Sequence, residues 1–124
     1  MVFISKEDKN AKAVLLRALG KKYGVSLTVA RHNHSTIVLN ISKGKIDFFS
    51  DYNLEDDSGY IKVNHYRIDY NFCGISQQFL NDAFKILNNG NYNNSDSMID
   101  YFDIGFYIDI NIGKFRKPYL FINN

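Results

Sequence analysis

The side chains able to do chemistry are few, and they are spread along the chain. The densest group of oxygen ligands runs through Gly90-Asn91-Tyr92-Asn93-Asn94-Ser95-Asp96 and continues at Asp100, Asp103 and Asp109. A hard cation such as magnesium or calcium needs several oxygens converging on one point. A two-residue period puts Asp103 and Asp109 on one side of a strand, but six residues of extended chain hold them roughly 20 Å apart. They cannot share an ion unless the strand folds back, so an Asn-rich turn capping its own backbone is the better reading and no metal is expected. His32 and His34 sit in a predicted turn and His65 in a predicted strand; two histidines at such spacing chelate zinc only with further ligands nearby. Cys73, the single cysteine, rules out an internal disulfide and a multi-cysteine zinc site. It precedes a helix with no nucleophile signature around it, which reads as packing. Gly-rich phosphate loops, GxSxG and HExxH are absent, so no catalytic residue, no cofactor and no enzymatic activity are expected.

Charge gives a second class of candidate. The net charge is only +2, but residues 1 to 46 carry nine basic and two acidic groups, residues 47 to 58 carry five acidic and no basic groups, and the remainder balances at six against six. Such asymmetry can steer a phosphate backbone or an acidic protein surface toward one part of the molecule. Three candidate contact sets follow: a basic helix face of Lys9, Lys12, Arg17 and Lys21; an acidic loop of Asp51, Glu55, Asp56 and Asp57; and a strand face of Tyr101, Asp103, Tyr107 and Asp109. The last is a candidate because an exposed aromatic row needs a reason. The nine tyrosines and ten phenylalanines also require a ring-rich core with many hydroxyls at the surface. No recognised nucleic-acid motif appears, and a pI near 8.6 is below that of a strongly basic binder.

The elements that must position these residues can be read from period and punctuation. Ser5 caps a helix with Glu7 and Asp8 in its first turn, running to about Lys22 and ended by Gly24. Ala11, Val14, Leu15, Ala18 and Leu19 form its expected buried stripe, with Lys6, Lys9, Lys12, Arg17 and Lys21 on the outer arc. Val25, Leu27 and Val29, then Ile37, Leu39 and Ile41, alternate as two strands of an antiparallel hairpin turning at Arg31 to Ser35. Lys43-Gly44-Lys45 reads as a turn, Ile46 to Phe49 as a short strand, Asp51 to Gly59 as a loop and Tyr60 to Tyr70 as a strand. Ile75 to Asn89 reads as a second helix, closed by Gly90. From Met98 to Ile112 the period is two, so this is the expected central strand, bent at Gly105; the chain then turns at Pro118 into the apolar tail Tyr119 to Ile122. The order predicts one α+β domain over residues 1 to 124: an antiparallel sheet with two helices packed on one face. No run approaches ~20 apolar residues, and MVFISKEDKN lacks a secretory apolar stretch, so a cytoplasmic protein with no membrane contact is expected.

Four stretches together resemble a known family. They are Ile61-Lys62-Val63-Asn64-His65-Tyr66-Arg67-Ile68; Phe79-Leu80 with its helix to Gly90; the run from Gly90 through Asp96 to Asp100-Tyr101-Phe102-Asp103-Ile104-Gly105-Phe106-Tyr107; and Asn111-Ile112-Gly113-Lys114-Phe115-Arg116-Lys117-Pro118-Tyr119. With the amino-terminal helix and Val25-Ser26-Leu27-Thr28-Val29, they are similar to the large polyvalent protein-associated domains of phage and conjugative-element proteins. The resemblance departs at Tyr92 and Asn93, where that family tends to carry His and Asp, which weakens any metal reading of the loop. It implies a small α+β module accompanying mobile DNA into a host, with no catalytic residues to carry over. By analogy it suits a non-enzymatic protein that binds and blocks a host defence protein or ribonucleoprotein complex, in an anti-CRISPR or anti-restriction role. Contact would run through the acidic loop imitating phosphates or through the basic helix. The alternative is an accessory protein that binds nucleic acid directly, in transfer or replication of the element.

Overall fold

The computed structural model describes residues 2–55, 58–91 and 105–122. Helix α1, Lys6–Tyr23, begins where expected: the Ser5 hydroxyl accepts from the Asp8 amide at 3.0 Å, and Gly24 ends the helix in the left-handed conformation. Strands β1 (Val25–His32) and β2 (Thr36–Gly44) form the expected antiparallel hairpin, turning through Asn33 and His34, both at positive φ. Strand β3 is Ile61–Val63, followed by the single-turn helix α2 (Ile68–Asn71) and by α3 (Gly74–Asn88). Strand β4 is Tyr107–Ile112 and β5 is Leu120–Phe121.

The fold is α+β, with a five-stranded sheet in the order β1-β2-β4-β3 and β5 paired to β2. The sheet is mixed where an antiparallel one was expected: β1 and β3 pair antiparallel to their neighbours, whereas β4 and β5 run parallel to β2. β1 occupies one edge of β2 along its whole length, so β4 and β5 share the other edge in succession. One face carries continuous apolar rows, Val29-Leu39-Ile110-Val63 and Leu27-Ile41-Ile112-Ile61, nearly all of them buried. The long helices lie side by side on that face, with Phe79 of α3 edge-on to Tyr23 at 5.3 Å and to Phe48 at 5.9 Å.

Two local expectations are corrected. Tyr60 to Tyr70 stays extended only as far as Val63, because the Asn64 side chain accepts the Tyr66 amide at 3.0 Å and its carbonyl accepts Arg67, making a turn. Ile46 to Phe49 forms no strand; Ile46 and Phe48 are buried from a turn whose Asp47 side chain accepts the Ser50 amide.

The larger correction concerns the setting of α1. Its buried residues are Lys12, Ala13, Leu16 and Gly20, whereas Ala11 and Ala18 are exposed and Val14 and Leu15 are 64% and 55% exposed. Of the expected stripe, Leu19 alone is partly buried against the core. Close approach decides the rotation: a β-carbon at Gly20 would sit 2.7 Å from the Val25 carbonyl oxygen, so this turn of the helix seats directly on β1. The same rotation takes Lys12 inward to 3% exposure, where its ammonium donates to Asp8 at 3.1 Å and to the Asn89 carbonyl at 2.7 Å and lies 5.2 Å from the Phe106 ring centre.

Leu16→Ala is expected to lower unfolding free energy by about 2–5 kcal/mol, and Leu15→Ala to change it by no more than about 0.5 kcal/mol. Urea titration of the two variants checks the helix rotation. Lys12→Ala, which removes two charge-assisted hydrogen-bonding partners, is expected to cost about 1.5–3 kcal/mol in the same assay.

Candidate functional site

The second face of the sheet carries no described helix. Pairing aligns Thr28, Asn40, Asn111 and Lys62 across it, and the Asn111 amide donates to the Asn40 side chain at 3.2 Å. Toward the end of the sheet β1 and β2 lose register between Ser26 and Leu27, so Ser42 is the extra residue and Lys43 stands opposite Ser26. Beside Lys43 the chain leaves the sheet between β4 and β5. It does so at Gly113, where a β-carbon would lie 2.6 Å from the Tyr119 amide nitrogen and φ is 72°.

The excursion is a tight basic turn. Lys114 and Lys117 exchange backbone hydrogen bonds of 2.8 and 2.9 Å, and Arg116 at the tip adopts positive φ. The base is fixed from three sides: the Gly113 amide donates to Ile41, the Tyr119 amide to Gly59, and the Tyr119 hydroxyl to the Ile46 carbonyl at 2.8 Å. Burial holds the Tyr119 phenol well above its ordinary range, with nearby Asp47 adding to the effect, so it remains a donor. The tip, by contrast, is open: Phe115 is 69% exposed, with the Arg116 guanidinium 5.3 Å from its ring centre.

Lys43, Lys114 and Lys117, with Thr28, Asn40 and Ser42, line a concavity of about 540 Å³ on this face. Among the described residues the one ion pair is Lys12–Asp8, so these three ammonium groups are not neutralised by a described carboxylate. Unpaired cations grouped around polar side chains attract polyanions, and an exposed ring beside them can stack on a base.

A cleft of about 610 Å³ lies beyond the end of β3, lined in part by Thr36, His65, Tyr66, Asn88, Tyr107 and Asp109. His65 stacks on Phe84 of α3 at 4.9 Å, and its buried Nδ1 has no hydrogen-bond partner among the described residues. Burial lowers the imidazole pKa, opposed by the nearby Asp109 carboxylate. Among the described residues the cleft holds one imidazole and no nucleophile hydrogen-bonded to it. No three His, Cys, Asp or Glu side chains come together to hold a metal ion among the described residues.

The expected contact sets fare differently. Lys12 is internal, so Lys9, Lys12, Arg17 and Lys21 do not form one solvent face; Arg17 and Lys21 are exposed and Lys9 is half-buried. In the acidic loop Glu55 is exposed, but Asp51 is occupied: its carboxylate accepts the Ser76 amide at 3.3 Å and hydroxyl at 2.6 Å at the start of α3. Cys73, expected to be packing, is exposed. Tyr107 and Asp109 do share the His65 cleft. Asp56, Asp57, Tyr101 and Asp103 lie outside the described residues, as do Asp96 and Asp100. Reasoning from charge blocks misses the basic turn, because its cations fall within a segment of balanced charge; the four-residue run Lys-Phe-Arg-Lys between Gly113 and Pro118 is the signal that could have found it. No helix among the described residues is long and apolar enough to cross a membrane.

The lowered His65 pKa fixes a pH dependence. In the unfolded chain the imidazole takes up a proton near 6.5, while the folded chain takes it up at lower pH, so acid favours unfolding in that window. Stability is expected to fall from neutral pH to pH values below 6.5, and His65→Phe to flatten that part of the profile, as read by thermal melts across the range. No protein-family model matches the chain, and neither does any curated protein or solved structure.

Proposed function

We propose that this protein is a non-enzymatic nucleic-acid-binding module that holds a single strand on the open face of its sheet. The observation that carries the reading is the group Lys43, Lys114 and Lys117, unpaired with described acids, around a polar concavity beside the exposed Phe115. The lysines would neutralise successive phosphates, the Thr28, Asn40 and Asn111 side chains would supply hydrogen bonds, and Phe115 would stack on a base. A single strand fits better than a duplex, because stacking on a side chain requires a base free of its own helix.

Of the two roles expected from the sequence, direct binding draws more support than blockade of a defence complex, whose basic-helix route loses Lys12 to the interior and whose other route is mimicry of phosphates by the acidic loop. Mimicry needs free carboxylates, and Asp51 is engaged at the start of α3. A role beside mobile DNA remains compatible with the binding reading and rests on the family resemblance alone.

Fluorescence anisotropy with labelled single-stranded and duplex oligonucleotides of equal length tests this. Single strands are expected to bind more tightly, with affinity falling steeply as salt rises. Lys114→Gln with Lys117→Gln should reduce the salt slope by about 0.7 for each phosphate no longer neutralised. Phe115→Ala should cost about 1–3 kcal/mol on single strands and less on duplex. No binding even at low salt overturns the reading.

A further inference from the structure

Helix α1 has two apolar stripes, and only one is used by the fold. At about 100° per residue the buried Leu16 and Gly20 lie nearly opposite Ala11, Val14 and Ala18. The outward stripe, extended along the helix, reads Glu7, Ala11, Val14, Leu15, Ala18, Lys22, all exposed. This order has a symmetry of its own. Reversed about the point between Val14 and Leu15, each large residue falls on a large one and Ala11 falls on Ala18. Glu7 falls on Lys22.

We propose that this face is a self-association surface on which a second copy of the chain docks α1 antiparallel against α1 about a two-fold axis. Charge complementarity selects the occupant and the direction. Antiparallel docking brings Glu7 of each protomer to Lys22 of its partner, so one pairing is made twice, as an isologous interface requires. Parallel docking would set Glu7 against Glu7 and Lys22 against Lys22. Val14 and Leu15 would form the centre, and Ala11 and Ala18 would let the axes approach closely on either side. A shallow groove of about 270 Å³ between α1 and α3 continues from the stripe along one flank, where Ala11, Leu15 and Ile86 sit among Asp8, Lys12 and Lys85. The surface is remote in sequence from the basic turn, so it does not depend on the nucleic-acid reading. One helix seam is small for an interface, so the dimer is weak.

Sedimentation equilibrium from about 5 to 500 μM, a range suited to a weak seam, should follow a monomer–dimer equilibrium. Leu15→Glu, at an exposed position, should leave the fold intact by circular dichroism and abolish the dimer. Glu7→Lys and Lys22→Glu should each weaken dimerisation by about tenfold, because each replaces two attractions with two repulsions. The double variant with both changes should recover it. In a Cys73→Ser background, mixed Ala11→Cys and Ala18→Cys proteins should crosslink to each other more than to themselves. A monomer at every concentration overturns the proposal, as does a double variant no better than the singles. Binding of that monomer to anionic vesicles, lost in Leu15→Glu, would assign the stripe to a lipid surface instead and also overturn it.

Discussion

The buried ammonium of Lys12 is the group on which much of this arrangement rests. A charge taken out of water must find partners, and Lys12 finds three kinds: the Asp8 carboxylate one turn back, the Asn89 carbonyl at the end of α3, and the face of Phe106 just before β4. A cation at the carboxyl end of a helix also meets the negative end of the α3 dipole. Turning α1 so that Val14 and Leu15 entered the core would carry Asp8 along with Lys12 but withdraw the ammonium from the Asn89 carbonyl and the Phe106 ring. Together with the close seat of Gly20 on β1, the interaction sets which side of α1 faces the sheet, and it ties α1 to the end of α3 and to the residue before β4.

What could be read from the sequence was what neighbours in the chain decide. Ser5 and Gly24 bound α1 through hydrogen bonds within a few residues, and the alternation of Phe106, Ile108, Ile110 and Ile112 marks the buried side of β4 without reference to any other strand. The rotation of α1 was not legible in this way. Its outward stripe has larger apolar side chains than the alternative built on Ala13 and Gly20. The choice rests on distant facts: the fit of Gly20 on Val25, and a partner for Lys12 that lies 77 residues away. The direction of β4 is equally non-local, since its alternation is the same whether it runs with β2 or against it. At the site, polar strand residues were visible, but the sheet face they share exists only once β2 and β4 are paired.

The mixed sheet explains how a basic turn comes to stand beside a polar face. Because β4 and β5 both run parallel to β2 on one edge, the chain between them need not reverse; it leaves the sheet at Gly113 and rejoins it at Leu120. Its base is held by buried groups, including the Tyr119 hydroxyl, while Phe115 and Arg116 project. Rigid roots and an exposed tip allow cations to be presented at small entropic cost on binding, which a free loop of the same composition could not do.

The strand order also constrains assembly of the chain itself. The β1-β2 hairpin joins adjacent segments, whereas β4 must reach β2 from about 70 residues downstream, and β3 pairs with β4 and with no other described strand. Until the downstream segment arrives, Ile37, Leu39 and Ile41 of β2 are paired on the β1 side alone, and β3 lacks its partner strand. A segment made after both is therefore the one that joins the earlier pieces into a sheet, and closing so long a loop makes this a fold of high contact order.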